Sequence, residues 1–202
     1  MPIINPFSTA PLFVSLTAGY ESDKRRTQQA FLGCLYAFII LVVFLLVGSA
    51  IIDFFGISVP GIRVAGGLII GTTGFRMLFP APRPEPAAAN PGHKQQPDVA
   101  FTPIAMPSLA GPGSITVVLS AAAQIKSIRP EDWEVIYVAI ILGMAATLVF
   151  SFGVLRAASW MVRFLGPAGI DAMTRIFGFL LICIGMQFLL TGVSDFFNLQ
   201  HR

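Results

Sequence analysis

Two short segments that contain proline carry the residues best suited to hydrogen-bond a small solute. One lies at the start of the chain, and the other divides a long uncharged stretch, Val99–Ala123. A helix interrupted by proline or glycine exposes N–H groups at the start of its second half, and these groups favour an anion such as a carboxylate. Neighbouring hydroxyls could bind the rest of a small zwitterion. The candidate binding residues are Asn5, Pro6, Ser8, Thr9, Gly111, Pro112, Gly113 and Ser114.

Two simpler interpretations of the same segments stay open. The stretch Val99–Ala123 could be a proline-kinked helix with a purely structural role, since Pro103 and Pro107 each interrupt a helix. The hydroxyls could cap helices within the protein, which is a common role for residues such as Thr9 and Thr116.

Four further polar residues lie within or beside apolar segments. Arg63 and Arg175 each open one, and either could simply extend its charge toward the membrane surface. The two arginines also hold matched positions in a repeat that is described below. A role in gating or in pairing helix ends is therefore as plausible as the simple extension toward the membrane surface. Gln187 lies inside the last apolar segment and needs a partner, so it lines a cavity or joins helices. Arg76 is interpreted as a cytoplasmic anchor.

The composition is that of a polytopic membrane protein. The 202-residue chain has a mean hydropathy of +0.78, with 55% hydrophobic and only 11% charged residues, about half the charge of a soluble domain. The histidines, His93 and His201, lie in polar segments, and no two acids share a span, which argues against an intramembrane hydrolase. No phosphate-binding loop is visible. We expect no enzymatic activity, cofactor or metal, and no nucleic-acid partner.

Six membrane segments follow from the apolar runs. Two are broken by proline, and four are plain. Residues 156–175 are predicted to form a connector between the last two, and its part 157–165 could be a short interfacial helix. Residues 80–98 are proline-rich and polar, which predicts an extended cytoplasmic linker. The broken segments are 1–20 and 99–123, and the plain segments are 31–52, 61–79, 135–155 and 176–194.

An internal repeat relates the two halves of the chain. Arg63–Ile70 matches Arg175–Ile182 at an offset of 112, and Asn5–Ser8 matches Gly111–Ser114 at an offset of 106. Each half therefore contains a broken span, a plain span and a span that opens with Arg-x-x-Gly. Three spans per repeat give the halves opposite orientations, as in many secondary transporters.

The predicted fold is therefore an all-α polytopic membrane protein made of two inverted three-helix repeats with broken first helices. The repeats comprise residues 1–79 and 99–202, joined by the linker at 80–98. Residues 99–106 have no counterpart in the first repeat. We therefore expect about half of the first span to be missing at the N-terminus, through truncation or a misplaced start codon.

Orientation follows from the distribution of basic residues. Lys and Arg are concentrated in the first, third and fifth loops, which include Lys24, Arg83 and Arg156. Because positive loops stay in the cytoplasm, these loops are predicted to be cytoplasmic and both termini periplasmic.

Several motifs resemble the MarC family of bacterial and archaeal proteins. They are Asn5–Phe13, Phe55–Gly67, Ile104–Gly113 and Arg175–Gln187, together with Gly74–Pro80 before the linker. The resemblance runs over nearly the whole chain. It implies a six-span inner-membrane protein, and some members of the family are described as transporters of neutral amino acids.

The expected function is secondary transport of small neutral amino acids or similar small solutes, at a site made by the two breaks. The alternatives are export of another small metabolite and a structural or regulatory membrane role without transport. The expected partners are the lipid bilayer and a small-molecule solute, with a homo-oligomer possible. Gly67, Gly71 and Gly74 form a small-residue face, which favours close helix packing within the protein over a dimer interface.

Overall fold

The computed structural model describes residues 4, 6–17, 20, 22–80, 98–128 and 133–197, and these are helical with short turns and no strand. The all-α prediction is thus confirmed for them. The predicted linker lies almost entirely outside the described residues. The helices are α1 (Pro6–Leu16), α2 (Asp23–Phe55), α3 (Val59–Leu78), α4 (Ala100–Leu109), α5 (Pro112–Ile128) and α6 (Trp133–Phe196).

Three helical stretches in this described part are long and apolar enough to cross a membrane. They are Asp23–Phe55, Trp133–Trp160 and Ala168–Phe196, and Pro112–Ile125 is a shorter apolar helix. Three of the predicted plain spans, 31–52, 135–155 and 176–194, lie within the three long stretches.

Helix α6 contains a single sharp break, at Gly166. This glycine has φ 65° and ψ 175°, a backbone conformation that side chains disfavour. It divides α6 into a first arm, before Gly166, and a second arm after it. The helix predicted over 157–165 is present as the end of the first arm, whereas the prediction of a connector is wrong for residues 167–175, which are also helical. Gly166 alone departs from helical angles in this range.

Helix α4 is irregular, as its prolines predict. Thr102 and Met106 are extended, with φ near −125° and ψ near 123°, and each directly precedes a proline. Proline disfavours helical angles in the residue before it. Wide turns enclose both extended residues: the amide of Ile104 donates to the carbonyl of Val99 (3.2 Å), and that of Ala110 to Ala105 (2.8 Å). The broken backbone is therefore satisfied inside the protein.

Helix α2 supports α4 from outside. The buried side-chain oxygen of Gln29 accepts a hydrogen bond of 3.0 Å from the amide of Val99. Four residues later on α2, Gly33 leaves room for Ile104, whose Cγ2 would lie 2.6 Å from a Cβ at the glycine. Ile104 itself is fully buried. The irregular segment is thus enclosed by protein, as membrane burial requires.

Glycines bring α3 and the second arm of α6 into backbone contact. A Cβ added at Gly67 would lie 2.6 Å from the carbonyl oxygen of Gly185, and one at Gly74 would lie 2.6 Å from that of Gly178. We call these four residues the glycine seam. The pairs run in opposite directions along the chain, so the two helices are antiparallel. The prediction that the glycine face of α3 packs within the protein is confirmed.

Helix α1 lies against α6. The ring of Phe7 stacks on Phe177 of the second arm, with centroids 5.2 Å apart, and meets Phe150 of the first arm edge-on at 6.1 Å. This contact positions the start of α1, and with it the first of the two breaks, beside the glycine seam.

Candidate functional site

Thr9, which follows the first predicted break, and residues of the second break line one cavity of about 430 Å³. It lies between the beginnings of α1 and α5, the second half of α3 and the second arm of α6. Arg76 is the one charged residue among the described residues that line it. The lining residues are Thr9, Ile70, Thr73, Arg76, Met77, Ser108, Gly111, Pro112, Gly113, Ser114 and Leu181.

Both breaks are followed by a helix that begins at a proline. Helix α1 begins at Pro6 and α5 begins at Pro112, the two residues that the offset of 106 aligns. Proline suits the first helical position, because the amide that it lacks would have no partner within the helix. In α5 the first regular backbone bond runs from the amide of Ile115 to the carbonyl of Gly111 (3.0 Å). The amides of Gly113 and Ser114 precede it and form the positive end of the helix.

The hydroxyl of Ser114 has a defined hydrogen-bonding role. It is buried and donates to the carbonyl of Leu109 at 3.1 Å, across the break between α4 and α5. Thr116 donates to the carbonyl of Pro112, one turn earlier in its own helix, at 2.8 Å. The donor hydrogens of both residues are therefore satisfied within the protein, and Ser114 caps the end of α4, whereas Thr116 bonds within its own helix. The oxygen of Ser114 keeps its capacity to accept a hydrogen bond.

Thr9 and Arg76 complete the polar lining of the cavity. Thr9 is 2% exposed and comes from the first break, as predicted. Arg76 was interpreted as an anchor, but the structure places it on the cavity wall. The signal was present in the sequence: Ile70, Thr73 and Arg76 recur at three-residue intervals along α3, which is the spacing of one helix face.

Two predicted site residues, Pro6 and Gln187, are described but do not belong to this lining. Pro6 is buried at the start of α1. Asn5 lies outside the described residues, and the side chain of Ser8 is not described. Gln187 is exposed, and its amide is 3.4 Å from the hydroxyl of Thr191 on the same helix. The structure thus gives Gln187 neither a place on the cavity nor a bond to another helix.

The two matched arginines differ in their surroundings. Arg63 pairs with Asp195, near the end of α6, and also donates to the side-chain oxygen of Gln124 on α5. We call Arg63, Gln124 and Asp195 the arginine clamp, because it holds the ends of three helices together. Arg175 is exposed, and the described residues give it no ion pair or hydrogen bond. Helix-end pairing therefore describes Arg63, while the gating hypothesis stays a prediction for both.

Comparisons with known proteins agree with the helical architecture. A family profile for the MarC family integral membrane proteins matches residues 1–197. The chain belongs to the MarC family. It is 39% identical over 208 aligned positions to the UPF0056 inner membrane protein MarC of Escherichia coli O1:K1 / APEC, and the match covers 100% of this chain and 93% of that protein.

Other relatives carry the same name. The proteins of Escherichia coli (strain K12) and Shigella flexneri are each 38% identical over 208 positions, again covering 100% of this chain and 93% of theirs. No solved structure matches the chain. The resemblance inferred from the motifs is confirmed, and this MarC-family chain is a multi-pass inner-membrane protein.

The arginine clamp leads to a first prediction for this MarC-family protein. Arg63 and Asp195 are 19% and 25% exposed, so their charge-assisted bond is partly shielded from water. In a double-mutant cycle, Arg63→Met and Asp195→Asn are expected to be less than additive, with a coupling of about 1–2 kcal/mol in unfolding free energy.

The cycle is measured by unfolding in mixed detergent micelles. Arg175→Met, combined with Asp195→Asn, is the control, since Arg175 belongs to no described pair. If the losses of unfolding free energy caused by Arg63→Met and Asp195→Asn are additive, as we expect for the control pair, a stabilising clamp would be contradicted.

Proposed function

We propose that the protein is a secondary transporter of small neutral amino acids or similarly small zwitterionic solutes. One observation carries the proposal: both predicted breaks line a single cavity, so that Thr9 faces the same space as Gly113 and Ser114. Its volume, about 430 Å³, lies within the range of roughly 300–1,000 Å³ that is usual for small-molecule sites.

The charges of the lining suit a carboxylate. Arg76 supplies a guanidinium, and the first turn of α5 supplies the amides of Gly113 and Ser114. The same site can hold an ammonium group, because the oxygen of Ser114 still accepts hydrogen bonds while its hydrogen is donated to Leu109. A solute with a carboxylate and an ammonium group would bind both the donors and the acceptor of the site, whereas a simple anion or cation would bind only one kind of group.

Six membrane segments in two inverted repeats are part of the proposal, and two helix pairs support them. The glycine seam pairs α3 antiparallel with the second arm of α6, and the midpoint between its contacts falls at Ile70 and Ile182. The offset of 112 aligns these same two residues. A helix that meets its repeat partner at equivalent positions, in the opposite direction, is the arrangement expected at a pseudo-two-fold axis.

Helix α2 and the first arm of α6 form the second such pair. The ring of Phe31 meets Phe152 edge-on at 6.0 Å, while Leu46, further along α2, shares a cavity wall with Tyr137, which precedes Phe152. These two helices are also antiparallel and hold the same place in their repeats. The proposed orientation, with odd-numbered loops cytoplasmic and both termini periplasmic, follows from the positive loops.

The test is uptake of labelled glycine and alanine by proteoliposomes. The proposal expects saturable uptake that unlabelled substrate inhibits and that empty liposomes lack. Folded protein that moves neither amino acid would contradict the assignment to neutral amino acids, and it would favour export of another solute or a regulatory role.

A second prediction concerns Arg76. Because a hydrogen bond to a charged group contributes about 1.5–3 kcal/mol, Arg76→Gln is expected to raise the KM for glycine by roughly ten-fold or more. Arg163→Gln is the control, since Arg163 is an exposed arginine that does not line the cavity. An unchanged KM in the Arg76 variant would show that the guanidinium does not bind the solute.

A further inference from the structure

A second groove shares no lining residue with the cavity described above, and its lining changes from polar to apolar along its length. It runs between α2 and the first arm of α6. Its polar end is an open cavity of about 590 Å³ at the start of α2, and its middle is a cavity of about 210 Å³. Phe31 and Phe152 line both cavities, so the two are adjacent, with the edge-on contact of these rings between them.

The polar end is basic. Lys24 and Arg156 reach it from the two helices, and Thr27 and Gln28 add hydrogen-bonding side chains. Among the described residues the one acid there is Asp23, which is fully exposed and lies 3.9 Å from Arg26, whose charge offsets it. The balance of charge at this end therefore favours a negatively charged group.

The middle of the groove is apolar. Its walls are hydrophobic side chains and Cys34, and the α2 residues that line it run from Phe31 to Phe38. From Phe31 to Phe38 the helix rises by about 10 Å, which is less than the thickness of one leaflet in a hydrocarbon layer of roughly 30 Å. An acyl chain that hangs from the basic end would follow this part of the groove.

The opposite end of the groove has a different character. Among the described residues, a third cavity there is lined by Leu46, Trp133, Glu134, Tyr137 and Val138, and the one charged residue of these five is an acid. Tryptophan and tyrosine are typical of the membrane surface. Of the described residues, those at the Lys24 end match an anionic headgroup better.

We propose that this groove binds an anionic phospholipid of the surrounding bilayer, with its phosphate at Lys24 and Arg156 and an acyl chain along Phe31 to Phe38. Basic pockets between membrane helices recognise such headgroups, and each basic residue near an anionic surface contributes about five-fold in affinity. The site is separate from the cavity at the two breaks, and it does not depend on the transport proposal.

The experiment measures lipid retained by the purified protein. The protein is reconstituted in vesicles of equimolar phosphatidylglycerol and phosphatidylcholine and extracted in mild detergent, and the two bound lipids are quantified. The wild-type protein is expected to retain phosphatidylglycerol several-fold over phosphatidylcholine. Equal retention of the two lipids by the wild-type protein would overturn the proposal without any variant.

Three variants then locate the site. Lys24→Gln and Arg156→Gln are each expected to lower the ratio of phosphatidylglycerol to phosphatidylcholine about five-fold. Ala145→Phe, which fills the apolar part of the groove, is expected to lower retention of both lipids. Arg175→Gln is the matched control, because it removes an exposed arginine outside the groove. An equal loss in the control, or full retention by Ala145→Phe, would overturn the proposal.

Discussion

Gly113→Leu is expected to abolish uptake of labelled glycine and alanine while leaving the amount of folded protein unchanged. Gly113 lies in the first turn of α5 and lines the cavity where the two breaks meet. A leucine side chain there would occupy the space next to the proposed carboxylate position. Leucine also suits a helix better than glycine does, by roughly 0.8–1.0 kcal/mol, so the helix itself should persist.

The measurement is initial uptake into proteoliposomes, normalised to the monodisperse protein recovered. Gly143→Leu is the matched control, because a Cβ at Gly143 would meet no other atom within 4 Å and Gly143 does not line the cavity. We expect at least a ten-fold loss for Gly113→Leu and little change for the control. Uptake that survives in both variants would place the solute elsewhere.

Gly67→Val is expected to cause a large loss of stability. The added Cβ would lie 2.6 Å from the carbonyl oxygen of Gly185 and 2.7 Å from the amide nitrogen of Leu189. Both neighbours are backbone atoms, so a whole helix must move to make room. Overpacking costs typically 1–3 kcal/mol, and we expect the upper end of that range, about 3 kcal/mol.

The free energy of unfolding in mixed micelles checks this prediction. Gly71→Val is the control, since Gly71 lies one turn further along α3 and a Cβ there would meet nothing within 4 Å. If both variants lost the same free energy of unfolding, the loss would be caused by the low helix propensity of valine and not by overpacking at the glycine seam. A loss confined to Gly67 would support the backbone contact.

Local backbone chemistry explains which parts of the fold could be predicted. Pro103 and Pro107 restrict the residues before them, so the irregular α4 followed from the sequence. The start of α5 at Pro112 followed for a similar reason, because proline suits the first helical position. A helix before Gly166 was allowed for, whereas the helical residues directly after Gly166 were missed, since Asp171 and Arg175 resemble the polar residues of a loop. Whether such residues face water or lipid depends on packing that the sequence does not state.

The candidate site was predictable where it depends on the two segments that the proposed repeat aligns. Thr9 and Gly113 lie in or next to those segments, and they line one cavity. Arg76 has no arginine at its repeat position, residue 188, so the repeat could not indicate it. Gln187 was assigned to a cavity or a helix contact by its polarity alone, but polarity does not say which face of the helix it occupies. The partners of Arg63 lie 61 and 132 residues away, beyond any local pattern.

The glycine seam has a mechanical consequence. Close approach extends beyond the four glycines: a Cβ at Gly192 would lie 2.8 Å from the carbonyl oxygen of Pro60, and one at Gly178 would lie 2.8 Å from the amide nitrogen of Leu78. The backbones of α3 and the second arm of α6 are therefore in contact from the first turn of α3 to its last. A change in the angle between the two helices would press their backbones together at one end and separate them at the other. We therefore expect α3 and this arm to move as one rigid pair, so that a change in the volume of the cavity requires movement of α1 or α5 against that pair.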